Sequence, residues 1–166
     1  MNEVEKIIQQ FELTPHPEGG FFKETYRSNE SYENLGHPYE GSRFYSTAIY
    51  FLLPQGHKSA LHRISSDEIW HFHLGGPMEL VQISPSGELE RIIIGPDFER
   101  GQKLQHVVPA GFWFGGSPLE GSEFSFVGCT VSPGFDFQDF ELGGREKLLS
   151  SFPEHSELIH FYTSII

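Results

Sequence analysis

The sequence predicts an all-β protein, a sandwich or barrel of short strands with short helices near the two ends of the chain. Runs of β-branched and aromatic residues recur at intervals of about ten residues, with turn-forming residues between them. The 16 phenylalanines and an aromatic content of 14% suit pleated, half-buried surfaces. The 18 glycines and 11 prolines are scattered rather than periodic, which is typical of many turns. We therefore expect one domain over residues 1–166.

Each predicted element follows from a local pattern. Apolar residues recur at helical spacing between Val4 and Phe11, so we expect an amphipathic helix that ends before Pro15. The long apolar run 43–53 predicts a buried central strand, and the polar segment 28–41 before it predicts a loop. Further strands are expected over 21–26, 59–64, 68–74, 78–83, 89–94, 103–108, 112–114 and 124–131, and two short helices over 145–152 and 156–162.

Composition and charge exclude several classes of partner. A formal net charge of −12, with only 11 lysines and arginines, argues against nucleic acid or an anionic membrane. Cys129 is the only cysteine, so no intrachain disulfide can form and a reducing compartment is expected. The first residues lack the basic start and apolar core of a signal peptide, and no apolar run is long enough to span a bilayer. We expect a cytoplasmic protein whose partner is a small-molecule ligand.

The stretch from residue 56 to residue 75 holds the densest set of chemically active side chains. It contains four histidines, His57, His62, His71 and His73, together with the carboxylates of Asp67 and Glu68. Imidazole and carboxylate groups are the ligands that suit zinc, iron, nickel or manganese. Taken by itself, the stretch therefore indicates a metal site.

The spacing within this stretch matches a known motif at all positions but one. It runs Gly56, five residues, His62-x-Ile64, three residues, Glu68, six residues, Gly75. This order resembles the first motif of the cupin superfamily, in which a second metal-binding histidine stands at the position of Ile64.

A second segment resembles the other cupin motif, which ends in Pro-x-Gly-x-x-His. Here it reads Pro109-x-Gly111-x-x-Phe114, with phenylalanine in place of the last histidine. Two of the four cupin ligand positions are therefore aliphatic or aromatic, and we expect no bound metal and no other cofactor.

Four longer segments resemble an uncharacterised cupin subfamily of the DUF985 type, sometimes labelled sugar-epimerase-like. They are HPEGGFFKETYRS, LHRISSDEIWHFHLGGPMELV, VVPAGFWF and VGCTVSPGFDFQDFELG. The resemblance implies a jelly-roll (cupin) β-barrel. It implies much less about activity, because this fold carries many unrelated functions.

The period of a β-strand divides the polar residues of the first motif between two faces. Successive side chains on a strand point to opposite sides. The motif glutamate of cupins points into the barrel, so the resemblance places Glu68, Trp70 and Phe72 on the pocket wall. It places His71 and His73 outside, at a sheet or subunit contact. We therefore also expect a second subunit to cover one side of the barrel, giving a symmetric homodimer.

His62 and Glu68 remain as the candidate catalytic pair. His62 is the predicted general base, and Glu68 orients it or raises its pKa. The alternative is a pair that only satisfies its own hydrogen bonds. Only one of Gln105 and His106 can face inward, and the strand period does not decide which. The predicted ligand-binding residues are Trp70, Phe72, Gln105, Trp113 and Phe114.

Two other groups of polar residues are given structural interpretations. Asp136 and Asp139 are expected to be solvated carboxylates on a loop that its phenylalanines pack against the barrel. Cys129 lies in an apolar strand, where an inert buried thiol is expected rather than a nucleophile.

Three functions stay open at this point. The first is a metal-independent isomerase or epimerase acting on a small polar or sugar-like metabolite, with His62 as base and Tyr45 or Tyr50 as candidate acid. The second is a non-catalytic module that binds or senses a metabolite. The third is a metal-dependent dioxygenase or isomerase, which would need His106 or another residue to replace the missing ligands.

Overall fold

Thirteen strands and three α-helices make up residues 1–163, the part of the chain that the computed structural model describes. The helices are α1 (Glu3–Gln10), α2 (Arg145–Ser151) and α3 (Ser156–Thr163), and single 3₁₀ turns lie at Phe98–Arg100, Phe137–Asp139 and Pro153–His155. The strands are β1 (Thr14–Pro15), β2 (Phe21–Arg27), β3 (Ser31–Tyr32), β4 (Arg43–Phe44), β5 (Thr47–Pro54), β6 (Ser59–Arg63), β7 (Asp67–Gly75), β8 (Met78–Ile83), β9 (Leu89–Ile94), β10 (Gln105–Val108), β11 (Trp113–Pro118), β12 (Phe124–Ser132) and β13 (Glu141–Leu142).

Two antiparallel sheets pack face to face. The larger has six strands in the order β1-β2-β5-β12-β7-β10, and the smaller has five in the order β13-β6-β11-β8-β9. The main core lies between them, where Phe51 and Val127 of the larger sheet meet Met78, Leu80 and Phe114 of the smaller. The structure confirms the predicted all-β class.

Helix α1 covers part of the outer face of the larger sheet. It begins with a capping box in which the Glu5 backbone N–H donates to the side chain of Asn2 (2.8 Å) and the Asn2 N–H donates back to Glu5 (2.9 Å). Its apolar face buries Ile7 against Leu52 and Phe126 of the sheet. Full burial of one such side chain stabilises the fold by roughly 1.5–3 kcal/mol. The predicted N-terminal helix is confirmed.

The two C-terminal helices cover the outer face of the smaller sheet. Leu148 of α2 and Ile159 of α3 pack against Leu61, Val81 and Trp113, which point away from the space between the sheets. This second apolar layer confirms the helices predicted near the C-terminal end.

The predicted central strand over 43–53 is interrupted in the structure. Its first two residues form β4 and pair with β3, and only from Thr47 does the chain join the larger sheet. At the break the Tyr45 N–H donates to Glu30 O (3.1 Å), and the Ser28 N–H donates to Ser46 O (3.0 Å). These bonds hold the segment against the preceding loop, so the prediction of one continuous strand over 43–53 is wrong. The short strands β1, β3 and β13 were not predicted.

No helix within residues 1–163 has the length and apolar character needed to cross a membrane.

Candidate active site

A cavity of about 360 Å³ lies between the sheets and opens at one end of the sandwich. Its wall is mainly apolar, and five phenylalanines supply most of it. These are Phe22, Phe44, Phe135, Phe137 and Phe140, with Ile49 and Ile64 beside them. An apolar wall with a few convergent polar groups is the usual form of a small-molecule site.

The innermost polar group is a buried pair formed by His62 of β6 and Glu18. The His62 Nε2–H donates to the Glu18 carboxylate (2.9 Å), and its Nδ1–H donates to the backbone oxygen of Ala60 (2.7 Å). The Ser59 hydroxyl donates to the other oxygen of Glu18 (2.8 Å). Both ring nitrogens of His62 are therefore engaged as donors.

A tight turn between β1 and β2 brings Glu18 to this position. The Gly19 N–H donates to His16 O (3.0 Å), and the Ala60 N–H donates to Glu18 O (2.8 Å), which ties the turn to β6. Gly19 has φ +112°, and a Cβ there would collide with the backbone oxygen of Lys58. Glycine at this position therefore allows the turn to lie against β6.

The electrostatics of the pair favour its ionised form. Burial is the largest single influence on the pKa of His62 and would lower it, but Glu18, Glu68 and the hydrogen bond to Ala60 together raise that pKa above its ordinary value. Burial would likewise raise the pKa of Glu18, yet His62, His16 and the Ser59 hydrogen bond together lower it. Since both ring nitrogens of His62 donate to oxygen acceptors, the pair is an imidazolium and a carboxylate.

His16 completes this inner group as a neutral ring. Its Nδ1 accepts the backbone N–H of Glu18 (3.1 Å), and burial lowers its pKa. The ring packs edge-on against Phe22, with 4.5 Å between ring centroids.

Glu68 of β7 lines the same cavity and is only 8% exposed. Burial raises its pKa to about 7; nearby His62 opposes that rise, Glu18 adds to it, and a hydrogen bond from the Cys129 thiol opposes it. Burial and Glu68 raise the pKa of Cys129, so the thiol stays protonated. Glu68 thus exchanges its proton near neutral pH, while the ion pair beside it keeps its charges.

The mouth of the cavity carries a second charged group. Arg27 donates twice to Glu24 (2.8 and 2.6 Å) and once to the backbone oxygen of Phe135 (3.2 Å). Its guanidinium lies over the ring of Phe44, 5.1 Å from the centroid, and Asp136 lies near it. Arg27 and Glu24 line the cavity and are 32% and 37% exposed, as expected of groups at its mouth.

Residues 5–143 match the family described as Cupin superfamily (DUF985). The chain belongs to the DUF985 family of cupins. Over 160 residues it is 32% identical to the Saccharomyces cerevisiae protein YML079W, covering 89% of this chain and 79% of that protein.

Two solved structures resemble this chain in both sequence and fold, and a third resembles it in fold alone. A hypothetical protein from Leishmania major is 36% identical with a TM-score of 0.90, covering 99% of this chain and 100% of that one. Protein SO0799 from Shewanella oneidensis is 38% identical with a TM-score of 0.89, covering 100% of both chains. Oxalate decarboxylase from Bacillus subtilis is 15% identical with a TM-score of 0.55, covering 89% of this chain and 36% of that one, and shares the fold.

The residues of this cupin do not fit the metal that the superfamily motifs imply. Ile64 and Phe114 stand at two ligand positions, and the Phe114 ring lies 4.1 Å from the ring of His62. The remaining nitrogen that could face a metal, His62 Nε2, is bonded to Glu18. Across residues 1–163, no group of three or more His, Cys, Asp or Glu side chains is placed to hold a metal ion.

The structure brings His62 and Glu68 together at the cavity but places the predicted aromatic residues behind it. Trp70 is 1% exposed and packs edge-on against Phe51 and Phe114 in the core. Its indole N–H is the one buried side-chain nitrogen or oxygen without a hydrogen-bond partner in the described part of the chain. Phe72 packs against the same core. These rings support the cavity floor rather than line it.

Two predicted ligand-binding residues lie away from the cavity. Trp113 points to the opposite side of β11, under the C-terminal helices, where Arg63 stacks on it at 4.6 Å. Gln105 is exposed and pairs with His71, on the outer side of β7. The next residue, His106, points inward instead, and its Nε2 forms a hydrogen bond with the side chain of Gln82 (2.9 Å).

The outer histidines lie where the strand period places them. His71 Nε2 bonds to the hydroxyl of Thr130 (2.9 Å), and His73 packs against the rings of Tyr50 and Phe126. Neither histidine lines the cavity, nor do the candidate acids Tyr45 and Tyr50.

The interpretation of Asp139 as a solvated carboxylate is wrong. Asp139 is buried and accepts two hydrogen bonds from Arg43, each 2.8 Å long. Asp136 lines the cavity mouth, and its side chain accepts the backbone N–H of Gln138 (2.9 Å). The ion pair anchors the loop that carries three of the five phenylalanines.

Glu18 and His16 are the site residues that the sequence alone did not reveal. They belong to the HPEGG segment, whose proline and glycines indicate a turn rather than a site. The available signal was its position at the start of a segment that resembles the subfamily. A carboxylate beside a proline and two glycines is otherwise typical of a solvated loop.

Proposed function

We propose that this cupin binds a small polar molecule in the cavity and moves a proton on it without a metal, as an isomerase. Glu68 is the proposed catalytic acid and base. The observation that carries this assignment is a nearly buried carboxylate on the wall of an apolar cavity, with a pKa of about 7. A proton-transfer group works best when its pKa lies near the working pH.

His62 has a different role in this proposal from the one that the sequence indicated. The sequence favoured His62 as the base. However, both of its nitrogens donate hydrogen bonds, to Glu18 and to Ala60, and leave no lone pair to accept a proton. His62 instead supplies a fixed positive charge close to Glu68, which stabilises negative charge that develops on the bound molecule.

The proposed chemical step needs only one acid–base group. The Glu68 carboxylate removes a proton from a carbon next to a carbonyl, and the C–H electron pair forms an enolate. Where the first carbon carries a hydroxyl group, the enolate is an enediolate, and the hydroxyl proton passes to the former carbonyl oxygen. The protonated Glu68 then returns its proton to the former carbonyl carbon, so that the carbonyl and the hydroxyl exchange places. An epimerase would need a second acid on the opposite face of the molecule, and neither candidate tyrosine lines the cavity. We therefore favour an isomerase over an epimerase.

A non-catalytic binding module is the second candidate. The saturated hydrogen bonding of His62 favours it, because an ion pair that is satisfied by protein groups also serves as a rigid binding surface.

Small molecules that remain bound to the purified protein are the starting point for a test. They are identified by mass spectrometry and returned to the protein in deuterated water. We expect deuterium to enter a carbon–hydrogen bond of the bound molecule. Because His62 and Glu68 contact the cavity, His62→Ala and Glu68→Gln should weaken ligand retention roughly tenfold or more, about 1.4 kcal/mol.

His71→Ala and His73→Ala are the matched controls on the outer face of β7. They should keep the ligand and the exchange while affecting stability or assembly. Retention without any deuterium incorporation would favour the binding module. Loss of the ligand in the His71 and His73 variants, with retention in the His62 and Glu68 variants, would overturn the site.

A further inference from the structure

We infer that the molecule bound in this cavity is a small organic cation, an amine with an apolar body. The inference rests on the proposed function for the choice of cavity. It adds the chemical class of the ligand, and it is based on the charged side chains that line the cavity.

The two cationic side chains of the cavity are already satisfied by carboxylates. His62 is bonded to Glu18 (2.9 Å), and Arg27 donates twice to Glu24 (2.8 and 2.6 Å). An anionic ligand such as a phosphate would have to break one of these pairs. A displaced, buried carboxylate would then lose its partner at a high desolvation cost.

The carboxylates of the cavity outnumber its cations. Beyond Glu18 and Glu24, the cavity is lined by Glu68 on its wall and Asp136 at its mouth. The positive charge that acts on Glu68 is that of His62, and His62 is already paired with Glu18. A ligand ammonium group would supply the missing positive charge.

The walls of the cavity favour the same class of ligand. The faces of aromatic rings carry partial negative charge and attract cations. One ring already holds a cation in this way, since Arg27 lies over Phe44 at 5.1 Å. The remaining phenylalanines line the same cavity as Glu68. A volume of about 360 Å³ suits a small amine and its apolar body.

Binding of a cation is coupled to the charge of Glu68. The groups that act on Glu68 are His62 from β6, Cys129 from β12 and Glu18 from the turn before β2, and His16 of that turn lines the same cavity. Glu24 and Arg27 of β2 lie with Asp136 farther out. In the free protein Glu68 is about half protonated near neutral pH, and an ammonium group displaces that proton. Affinity should therefore rise as pH increases through about 7 and level off above it.

Three probes of one shape and different charge test the inference. They are phenethylamine, phenethyl alcohol and hydrocinnamate, a cation, a neutral molecule and an anion. Binding to the full-length protein is measured by calorimetry at millimolar ligand concentration, slightly above neutral pH. We expect the amine to bind at least roughly tenfold tighter than either analogue, and to release protons on binding.

Two variants complete the design. Glu68→Gln should remove the preference for the amine, whereas Glu99→Gln, at an exposed position that does not line the cavity, should leave it unchanged. Equal or tighter binding of the alcohol or the anion would overturn the inference, and so would no binding of any probe. Selective binding of the amine without deuterium exchange on the natural ligand would sink the isomerase proposal and leave the ligand class standing.

Discussion

Glu68 shows at the scale of one residue how function and stability oppose each other in this cavity. Its pKa is raised from 4.5 to about 7, mainly because burial penalises the charged form. Between pH 4.5 and about 7, Glu68 is therefore still protonated in the folded protein but already ionised in the unfolded chain. Above pH 4.5 this difference begins to destabilise the fold, and the penalty is complete above about pH 7.

Glu68→Gln should consequently stabilise the protein at neutral and higher pH. The penalty grows by about 1.4 kcal/mol for each pH unit over which only the unfolded chain is ionised, so the gain is on the order of 3 kcal/mol above pH 7. It should vanish below pH 4.5, where both states are protonated. Urea unfolding of both proteins at about pH 4, 6 and 8 measures it. A gain that does not change with pH would contradict the assigned ionisation.

The sequence predicted two of the cavity's polar groups, but it did not predict that one of them pairs with Glu18. His62 and Glu68 follow from the motif spacing and the strand period. Glu18 does not, because its approach to His62 depends on a turn 40 or so residues earlier in the chain folding onto β6, a long-range contact that no local pattern reports. The prediction that Trp113 lines the cavity is wrong because no residue of β11 was known to point inward, so the alternation of side chains could not be applied to this strand.

At the scale of elements, the turn from His16 to Gly20 is the part of the chain that makes the site. Gly19→Ala adds a Cβ that collides with the backbone oxygen of Lys58, at a φ of +112°. We expect destabilisation of roughly 1–3 kcal/mol and weaker ligand retention, because Glu18 moves away from His62.

Gly36→Ala is the matched control for the turn. Gly36 also has a positive φ, +74°, but an added Cβ there meets nothing within 4 Å. It should cost only about 1–2 kcal/mol and leave the ligand bound. Calorimetric unfolding and ligand retention are compared for the two variants. If both lose the ligand equally, the turn does not position the site.

The loop after β12 depends in the same way on one buried ion pair. Arg43→Met would leave Asp139 buried without its two hydrogen bonds, so we expect a loss of about 3–5 kcal/mol in the free energy of unfolding. The exposed pair of Arg91 and Glu79 provides the control, and Arg91→Met should cost about 1 kcal/mol or less. Similar losses in both variants, measured by chemical denaturation, would show that the pair does not anchor the loop.

At the scale of the whole molecule, the class of fold was predictable and the division into sheets was not. Strand spacing and turn residues determine an all-β chain with helices near its ends. The break at Tyr45 and Ser46 was hidden because aromatic residues lie on both sides of it, Phe44 before and Tyr50 and Phe51 after, so residue type alone indicates one long strand. The two-residue strands β1, β3 and β13 are too short to give any periodic signal.

We propose that the uncovered part of the larger sheet's outer face binds a second copy of the chain. A row of directly paired residues crosses five strands there: Tyr26, Ala48, Thr130, Ile69 and Val107. Tyr26 and Val107 are about half exposed, at 56% and 45%. Sedimentation should show a homodimer at micromolar concentration, and Val107→Glu should shift it to monomer. A wild-type protein that sediments only as monomer would refute the interface.

The most direct test of the whole account is a titration of the carboxyl and imidazole groups by NMR. Protein labelled at glutamate and histidine is followed from acid to alkaline pH, with Glu68→Gln and His62→Ala used to assign the signals. We predict that Glu68 titrates near pH 7 while both nitrogens of His62 stay protonated through that range. A Glu68 carboxyl that titrates near its ordinary value of 4.5, or a His62 ring that loses a proton before Glu68 does, would contradict the proposed site.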